Sequence, residues 1–305
     1  MAASSMPSWT ANAPDHDATA SPMSAGITLR AGALRLAVRP DLGGAIAGLW
    51  HGDLPVLRST EAAGLAGPRQ SACFPLLPYS NRIGHRRFDW QGEPHQLAAN
   101  FDDGPHALHG VGWLRPWQVL RQGEAHLTLG YTHAADAHWP YSFVAEQDFC
   151  LSPGLLSLAL RLCSTDKRTQ PAGLGWHPYF VKRPGSRLRV GVGSRWERDA
   201  LELPAESTPQ PGIDALVDTL DVDHCYAGWP GEACIEDDRL RLRLASTLPY
   251  LVIFTPPALP HFCVEPVSHV NNAVQHPVPT GRGIVALSPG QVLSAAMTLR
   301  VEMPT

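Results

Sequence analysis

The chain has 305 residues, 44% of them hydrophobic, and a formal net charge of −4. That length and apolar content allow one large β domain or two ordinary ones with a substantial core. The mild acidity supplies no basic field for nucleic acid or an anionic membrane surface, so a small neutral ligand fits better.

Residues 1–25 are rich in Ala, Ser, Pro and Asp without a hydrophobic period, and are expected to form a disordered extension with Met23 as a candidate start. From Ile27 onward, apolar residues recur at spacing two and Gly or Pro interrupts them about every ten residues, the pattern of β structure. Ile27 and Leu29, then Leu34, Leu36 and Val38, alternate across a turn at Ala31 to Ala33, and Phe88 and Trp90 lead through Gln91-Gly92 into a returning strand. Tyr141 to Leu151 and Leu155 to Cys163 flank Pro153-Gly154, the plainest hairpin in the chain. Further strands are expected at Trp117 to Arg121, His126 to Thr132, Arg187 to Val192, Leu240 to Ser246, Tyr250 to Thr255, His261 to Val264, Gly283 to Leu287 and Val292 to Glu302. With 29 prolines, 27 glycines and no internal repeat, the sequence reads as all-β, a large antiparallel β-sandwich over residues 26–305 in one domain. Helix is expected only as single turns, as near Asp214 to Leu220.

Six cysteines stand singly with no Cys-x-x-Cys pair, which reads as reduced core thiols rather than a disulfide frame. No apolar run approaches the roughly 20 residues of a membrane helix, and the N-terminus has no charged region leading into an apolar one, so a cytoplasmic protein is expected. Fourteen histidines include no His-x-His, no His-Glu-x-x-His and no cysteine at zinc spacing, and no metal is expected. There is no Gly-x-Ser-x-Gly elbow, P-loop or dinucleotide fingerprint, leaving nucleophilic, phosphoryl and hydride chemistry without support.

Chemistry concentrates in a few segments. Asn81 and Arg82 follow the proline-stiffened Phe74-Pro75-Leu76-Leu77-Pro78-Tyr79, which would hold their donors in place, although a polar turn after a buried strand has the same look. His109 precedes Gly110-Val111-Gly112-Trp113, where glycines permit close backbone approach and Trp113 offers a stacking face; a structural histidine and a core tryptophan are the competing readings. His177 sits among aromatics before Pro178, suited to general acid or base work or to a plain aromatic core. Glu265 ends an apolar strand, where a carboxylate is solvated, ion-paired or used. Asp223 lies in an Asp-rich loop that alone reads as a solvated turn.

Taken in order, Asn81-Arg82 after Pro78-Tyr79, His109-Gly110, His177-Pro178-Tyr179-Phe180, Asp223-His224-Cys225-Tyr226 and Glu265 resemble the aldose 1-epimerase (galactose mutarotase) family across about residues 26–300. The resemblance implies a large β-sandwich with the site in its concave face and interconversion of the α and β anomers of a free aldose without a cofactor. It implies Glu265 as general base on the anomeric hydroxyl, His177 as general acid on the ring oxygen, and Asn81, Arg82, His109 and Asp223 as partners of sugar hydroxyls. The partner is then a small-molecule sugar, an aldohexose or aldopentose, with the protein a monomer or weak homodimer. Val252 stands where galactose-type members carry Gln, Asn271-Asn272-Ala273 where Pro-Asp-Ala is common, and Val181-Lys182 where Asn-Leu follows the aromatic pair, placing the chain in an outlying bacterial-type branch. Two alternatives remain: a hexose-6-phosphate 1-epimerase, for which Arg86, Arg87 and Lys182 are nearby cations, and a non-catalytic carbohydrate-binding protein.

Overall fold

Pro153 and Gly154 turn the chain between two ten-residue strands, Phe143–Ser152 and Leu155–Ser164, whose register runs from Ser152 opposite Leu155 to Phe143 opposite Ser164. Proline fixes its own φ and Gly154 takes φ +71°, so the reversal needs no further residues. The computed structural model describes residues 26–304 apart from Asp103. The expectations of a disordered extension and of a start at Met23 fall outside the described residues.

That hairpin supplies the third and fourth strands of a nine-stranded antiparallel sheet with the spatial order Gln118–Gln122, His126–His133, Phe143–Ser152, Leu155–Ser164, Val292–Glu302, Arg241–Ser246, Glu232–Glu236, Arg187–Val190 and Ile213–Leu216. Its strands alternate buried and accessible positions, as Val292–Glu302 does along most of its length, so one face meets the core and the other meets water. A second sheet of eight strands runs Pro204–Pro209, Ser194–Arg198, Asp223–Ala227, Tyr250–Phe254, His261–Val267, Gly175–Trp176 and Pro75–Leu76, with Tyr179–Val181 also paired to His261–Val267. Strand His261–Val267 is buried at every position, because one face lies on the core and the other is covered by the loops that carry the polar segments.

The N-terminal strands Ile27–Ala31, Leu34–Arg39, Ala45–His51 and Leu54–Pro55 form a four-stranded sheet against the nine-stranded one. One apolar cluster runs from Ile27 to Val301 through both large sheets. Gln91 and Gly92 both adopt positive φ between Arg87–Trp90 and Glu93–Gln96, the geometry of a tight primed hairpin turn. Helix among the described residues is limited to 3₁₀ turns, one of them Val217–Thr219 inside the expected stretch; Asp214 instead lies in strand Ile213–Leu216.

All six cysteines are unpaired, but two are not core residues: Cys150 is exposed and Cys234 half-buried. Cys150 occupies an outward position of Phe143–Ser152, so the spacing-two pattern that buries Phe149 and Leu151 puts its thiol in water.

Candidate active site

In the eight-stranded sheet, Val252 lies opposite Glu265, Phe254 opposite Cys263, and Asp223 and Cys225 opposite Phe254 and Val252. Directly paired residues share a face, so these six side chains tile one surface, with Trp196 joining opposite Cys225 and Tyr179 opposite Cys263. His177 comes from the link between Gly175–Trp176 and Tyr179–Val181, the two short strands that pair with opposite ends of His261–Val267. Its backbone N–H donates to the Phe74 carbonyl at 3.0 Å, and its ring stacks on Tyr179 at 4.4 Å and tilts against Phe74 at 4.8 Å.

The chain therefore brings His177 Nε2 to 3.4 Å from Glu265 Oε1. Glu265 is only 3% exposed and His177 8%. Burial pushes the Glu265 carboxyl well above the usual carboxylate range, with the charge of Asp223 adding to the rise and Arg82 opposing it. Burial likewise holds the His177 imidazole well below its ordinary value, assisted by His109 and Arg58. Both shifts favour the uncharged forms, the protonated carboxyl and the neutral ring.

Two imidazoles pin the loop that carries Asn81 and Arg82. The N–H of Ser80 donates to His269 Nε2 at 3.0 Å, while His269 Nδ1–H donates to the Val270 carbonyl at 2.8 Å. The N–H of Asn81 donates to His109 Nδ1 at 3.1 Å, and the N–H of His109 returns a bond to the Asn81 carbonyl at 2.9 Å. Both Asn81 and His109 have positive φ, 55° and 60°, which non-glycine residues adopt at a cost and which these reciprocal bonds hold in place. Asn272, also at positive φ, accepts from Gly84 N–H at 2.9 Å through Oδ1 and donates its own N–H to the Arg82 carbonyl at 3.0 Å. The Asn271-Asn272-Ala273 stretch thereby locks the far side of the same loop.

The remaining expected residues meet here too. The His109 and His177 rings are edge to face at 5.1 Å. Asn81 Oδ1 accepts from Arg82 N–H at 3.0 Å and from its guanidinium at 3.3 Å. Arg82 also forms an ion pair with Glu202, and Asp223 accepts from Arg198 at 2.6 Å, with Arg198 a further 3.6 Å from Glu202. All six residues singled out in the sequence thus surround one spot, with Arg82 and Asp223 engaged by counter-ions. Trp113 is the exception among the extended candidates: it is 2% exposed and stacked behind Phe74 at 5.2 Å, a core residue with no free face.

Sequence reasoning missed Arg198, Glu202, His269 and Cys263. Glu202 and Arg198 carry no local signal, since only the sheet order puts strand Ser194–Arg198, and the turn after it that carries Glu202, beside Asp223. The signal for Cys263 was available, two residues before Glu265 on the same face of one strand. Its thiol completes a buried trio in which a His177 ring nitrogen, Cys263 Sγ and a Glu265 oxygen all lie within 4.8 Å of one another. Two hollows of about 720 and 970 Å³ lie elsewhere on the surface, and neither is lined by His177 or Glu265. The convergence of titratable groups, rather than volume, marks the site.

The sequence from residue 26 to 300 matches the family model described as aldose 1-epimerase. The chain is 35% identical over 295 residues to the uncharacterized protein YphB of Escherichia coli K12, covering 90% of this chain and 98% of that one. It is also similar in structure to a candidate aldose 1-epimerase of Escherichia coli K12, with a TM-score of 0.83, 33% identity and coverage of 91% and 98%. A galactose mutarotase-like protein of Clostridium acetobutylicum shares the fold at a TM-score of 0.81 and 19% identity, with coverage of 91% and 95%. With the six site residues gathered on one face of a β-sandwich and the match spanning nearly all of the described chain, the protein belongs to the aldose 1-epimerase family.

Proposed function

We propose that the protein is a mutarotase, interconverting the α and β anomers of a free aldose by acid–base ring opening and reclosure. The observation that carries this reading is the 3.4 Å approach of His177 Nε2 to Glu265 Oε1 in a site nearly closed to water. The anomeric hydroxyl and the ring oxygen are bonded to one carbon, so two groups this close can serve both atoms at once. Glu265 takes the hydroxyl proton while His177 protonates the ring oxygen. The C1–O5 bond breaks, the C1–O1 bond becomes a carbonyl, and no net charge is left behind. Rotation about C1–C2 and closure with the roles reversed gives the other anomer and returns the proton.

Burial favours the proton on the carboxyl, and these roles place it on the imidazole, which lies across a 3.4 Å contact, when sugar enters. Arg82 favours the carboxylate form of Glu265, and sugar hydroxyls brought against the pair replace the missing solvation. Asn81, Arg82, His109 and Asp223 are the proposed hydroxyl partners. Val252, buried and directly opposite Glu265, leaves an apolar patch at that point of the floor, which favours a sugar that presents no hydroxyl there.

A neutral sugar is the better-supported substrate class. A phosphate dianion needs unengaged cations. At the site, Lys182 donates its ammonium to the Pro256 carbonyl at 2.7 Å and both Arg82 and Arg198 already face carboxylates, so of the cations named for the phosphate alternative only Arg86 and Arg87 have side chains with no hydrogen-bond or ion-pair partner among the described residues. Polarimetry of freshly dissolved α-D-glucose, α-D-galactose and L-arabinose, with and without chelator-dialysed protein, tests the proposal. Faster approach to the unchanged final rotation with at least one sugar supports it, and no acceleration with any free sugar, set against acceleration with a hexose 6-phosphate, moves the activity to the phosphorylated class.

A further inference from the structure

The proposed chemistry uses His177 and Glu265 but leaves Cys263 without a task, although its thiol is fully buried against them. Residues 263 and 265 alternate onto the same face of strand His261–Val267, and the His177 ring is delivered over that face by the paired segments on either side. One nitrogen, one sulfur and one carboxylate oxygen, all within 4.8 Å, form a borderline-soft donor set that small side-chain adjustments bring to tetrahedral spacing. Among the described residues no other group of three His, Cys, Asp or Glu side chains is so placed.

We infer that His177, Cys263 and Glu265 form a binding site for a thiophilic divalent cation of the Zn²⁺ class, and that occupancy inhibits the enzyme reversibly. Binding displaces the Cys263 thiol proton and the Glu265 carboxyl proton to solvent, and the dication then held by a thiolate, a carboxylate and a neutral imidazole is charge-neutral, the form in which a buried ion is tolerated. Three protein ligands leave the fourth position toward the sugar side. The cation takes up the imidazole lone pair and the carboxylate together, so neither is left to move a proton. Nδ1 of His177 is buried without a hydrogen-bond partner, so the ring lacks the outer support that strengthens structural metal sites, and the binding is exchangeable rather than permanent. The inhibition half of this inference rests on the mutarotase reading; the binding half does not.

The test separates the two. Chelator-stripped protein is titrated with Co²⁺, and the thiolate-to-cobalt charge-transfer absorption in the near ultraviolet is recorded for the wild type, Cys263→Ser, Cys263→Ala and His177→Gln. The expected result is a saturable band in the wild type that both cysteine variants lose and that His177→Gln weakens. Exposed Cys150 and half-buried Cys234 are the competing thiols, and a band that survives in correctly folded Cys263→Ser or Cys263→Ala overturns the assignment, as does no band in the wild type. In a parallel assay of anomer exchange, Zn²⁺ inhibits the wild type, chelator restores it, and the inhibition constant rises more than about 10-fold in Cys263→Ser. Equal inhibition of the cysteine variants contradicts the site even if the protein is a mutarotase. Absence of turnover with the cobalt band intact contradicts the mutarotase reading and leaves the metal site standing.

Discussion

The backbone N–H of Asn81 donates to Nδ1 of His109 at 3.1 Å, which fixes a neutral His109 as the Nε2–H tautomer. Burial, with Arg82 adding to it, lowers the ring to about 3, so it stays uncharged at neutral pH. In the proposed mechanism His109 is therefore available as a hydrogen-bond donor through Nε2–H rather than as a second acid beside His177. His109→Ala is expected to lower kcat/KM by roughly 30-fold, the equivalent of about 2 kcal/mol for a buried donor and its loop contact. His109→Gln, which keeps both a donor and an acceptor, is expected to recover part of that loss in steady-state assays.

The Arg82–Glu202 ion pair makes a different prediction. Glu202 is 55% exposed at its side chain, so breaking the pair changes stability by less than about 1 kcal/mol. If Arg82 serves the sugar, releasing it from Glu202 lowers KM and leaves kcat nearly constant in Glu202→Gln, while Arg82→Met raises KM. A KM insensitive to both substitutions assigns Arg82 to the loop instead.

Glu265 is expected to be costly to stability. The folded protein favours a carboxyl proton that the unfolded chain releases above about pH 4.5, so the Glu265 contribution to stability falls as pH rises from that point toward the raised folded value. Glu265→Gln does not titrate. Its urea midpoint is expected to exceed that of the wild type by a margin that grows from pH 4 to pH 8, while its activity is lost.

The buried histidines act in the opposite direction. His109 and His269 are pushed down to about 3 and about 4, chiefly by burial. Their contribution is fully present above the ordinary value near 6.5 and is lost as pH falls, since the unfolded chain takes up protons that the folded one refuses. Each costs about 1.4 kcal/mol per pH unit between roughly pH 6 and their folded values. Because Glu265 works against them over the same range, the slope is read in Glu265→Gln: its urea unfolding at pH 7.5, 6 and 5 is expected to show stability falling as pH falls, and a flat profile there contradicts the neutral assignment.

Strands with an apolar alternation on one solvated face were legible, as at Phe143–Ser152 and Val292–Glu302, because burial on one side writes a period of two into the sequence. The strands that build the site were less so. Asp223–Ala227 opens with Asp-His because Asp223 faces the polar pocket, and Pro204–Pro209 is an edge strand whose prolines need no ladder partner. The six expected site residues were found through short motifs, and the structure brings them together. The arginine that engages Asp223 depends on which strands lie side by side, and the glutamate that engages Arg82 on where a turn falls, neither of which spacing along the chain encodes, whereas the thiol beside Glu265 was legible from its spacing of two.

The measurement that bears most directly on the account is anomer exchange of a free aldose, followed by polarimetry in the presence of chelator, for the wild type, Glu265→Gln and His177→Asn at equal folded concentration. The account predicts acceleration by the wild type and a fall in kcat of roughly 100-fold or more in each variant. Near-normal kcat in either variant, with only KM changed, would contradict the assignment of that residue to proton transfer.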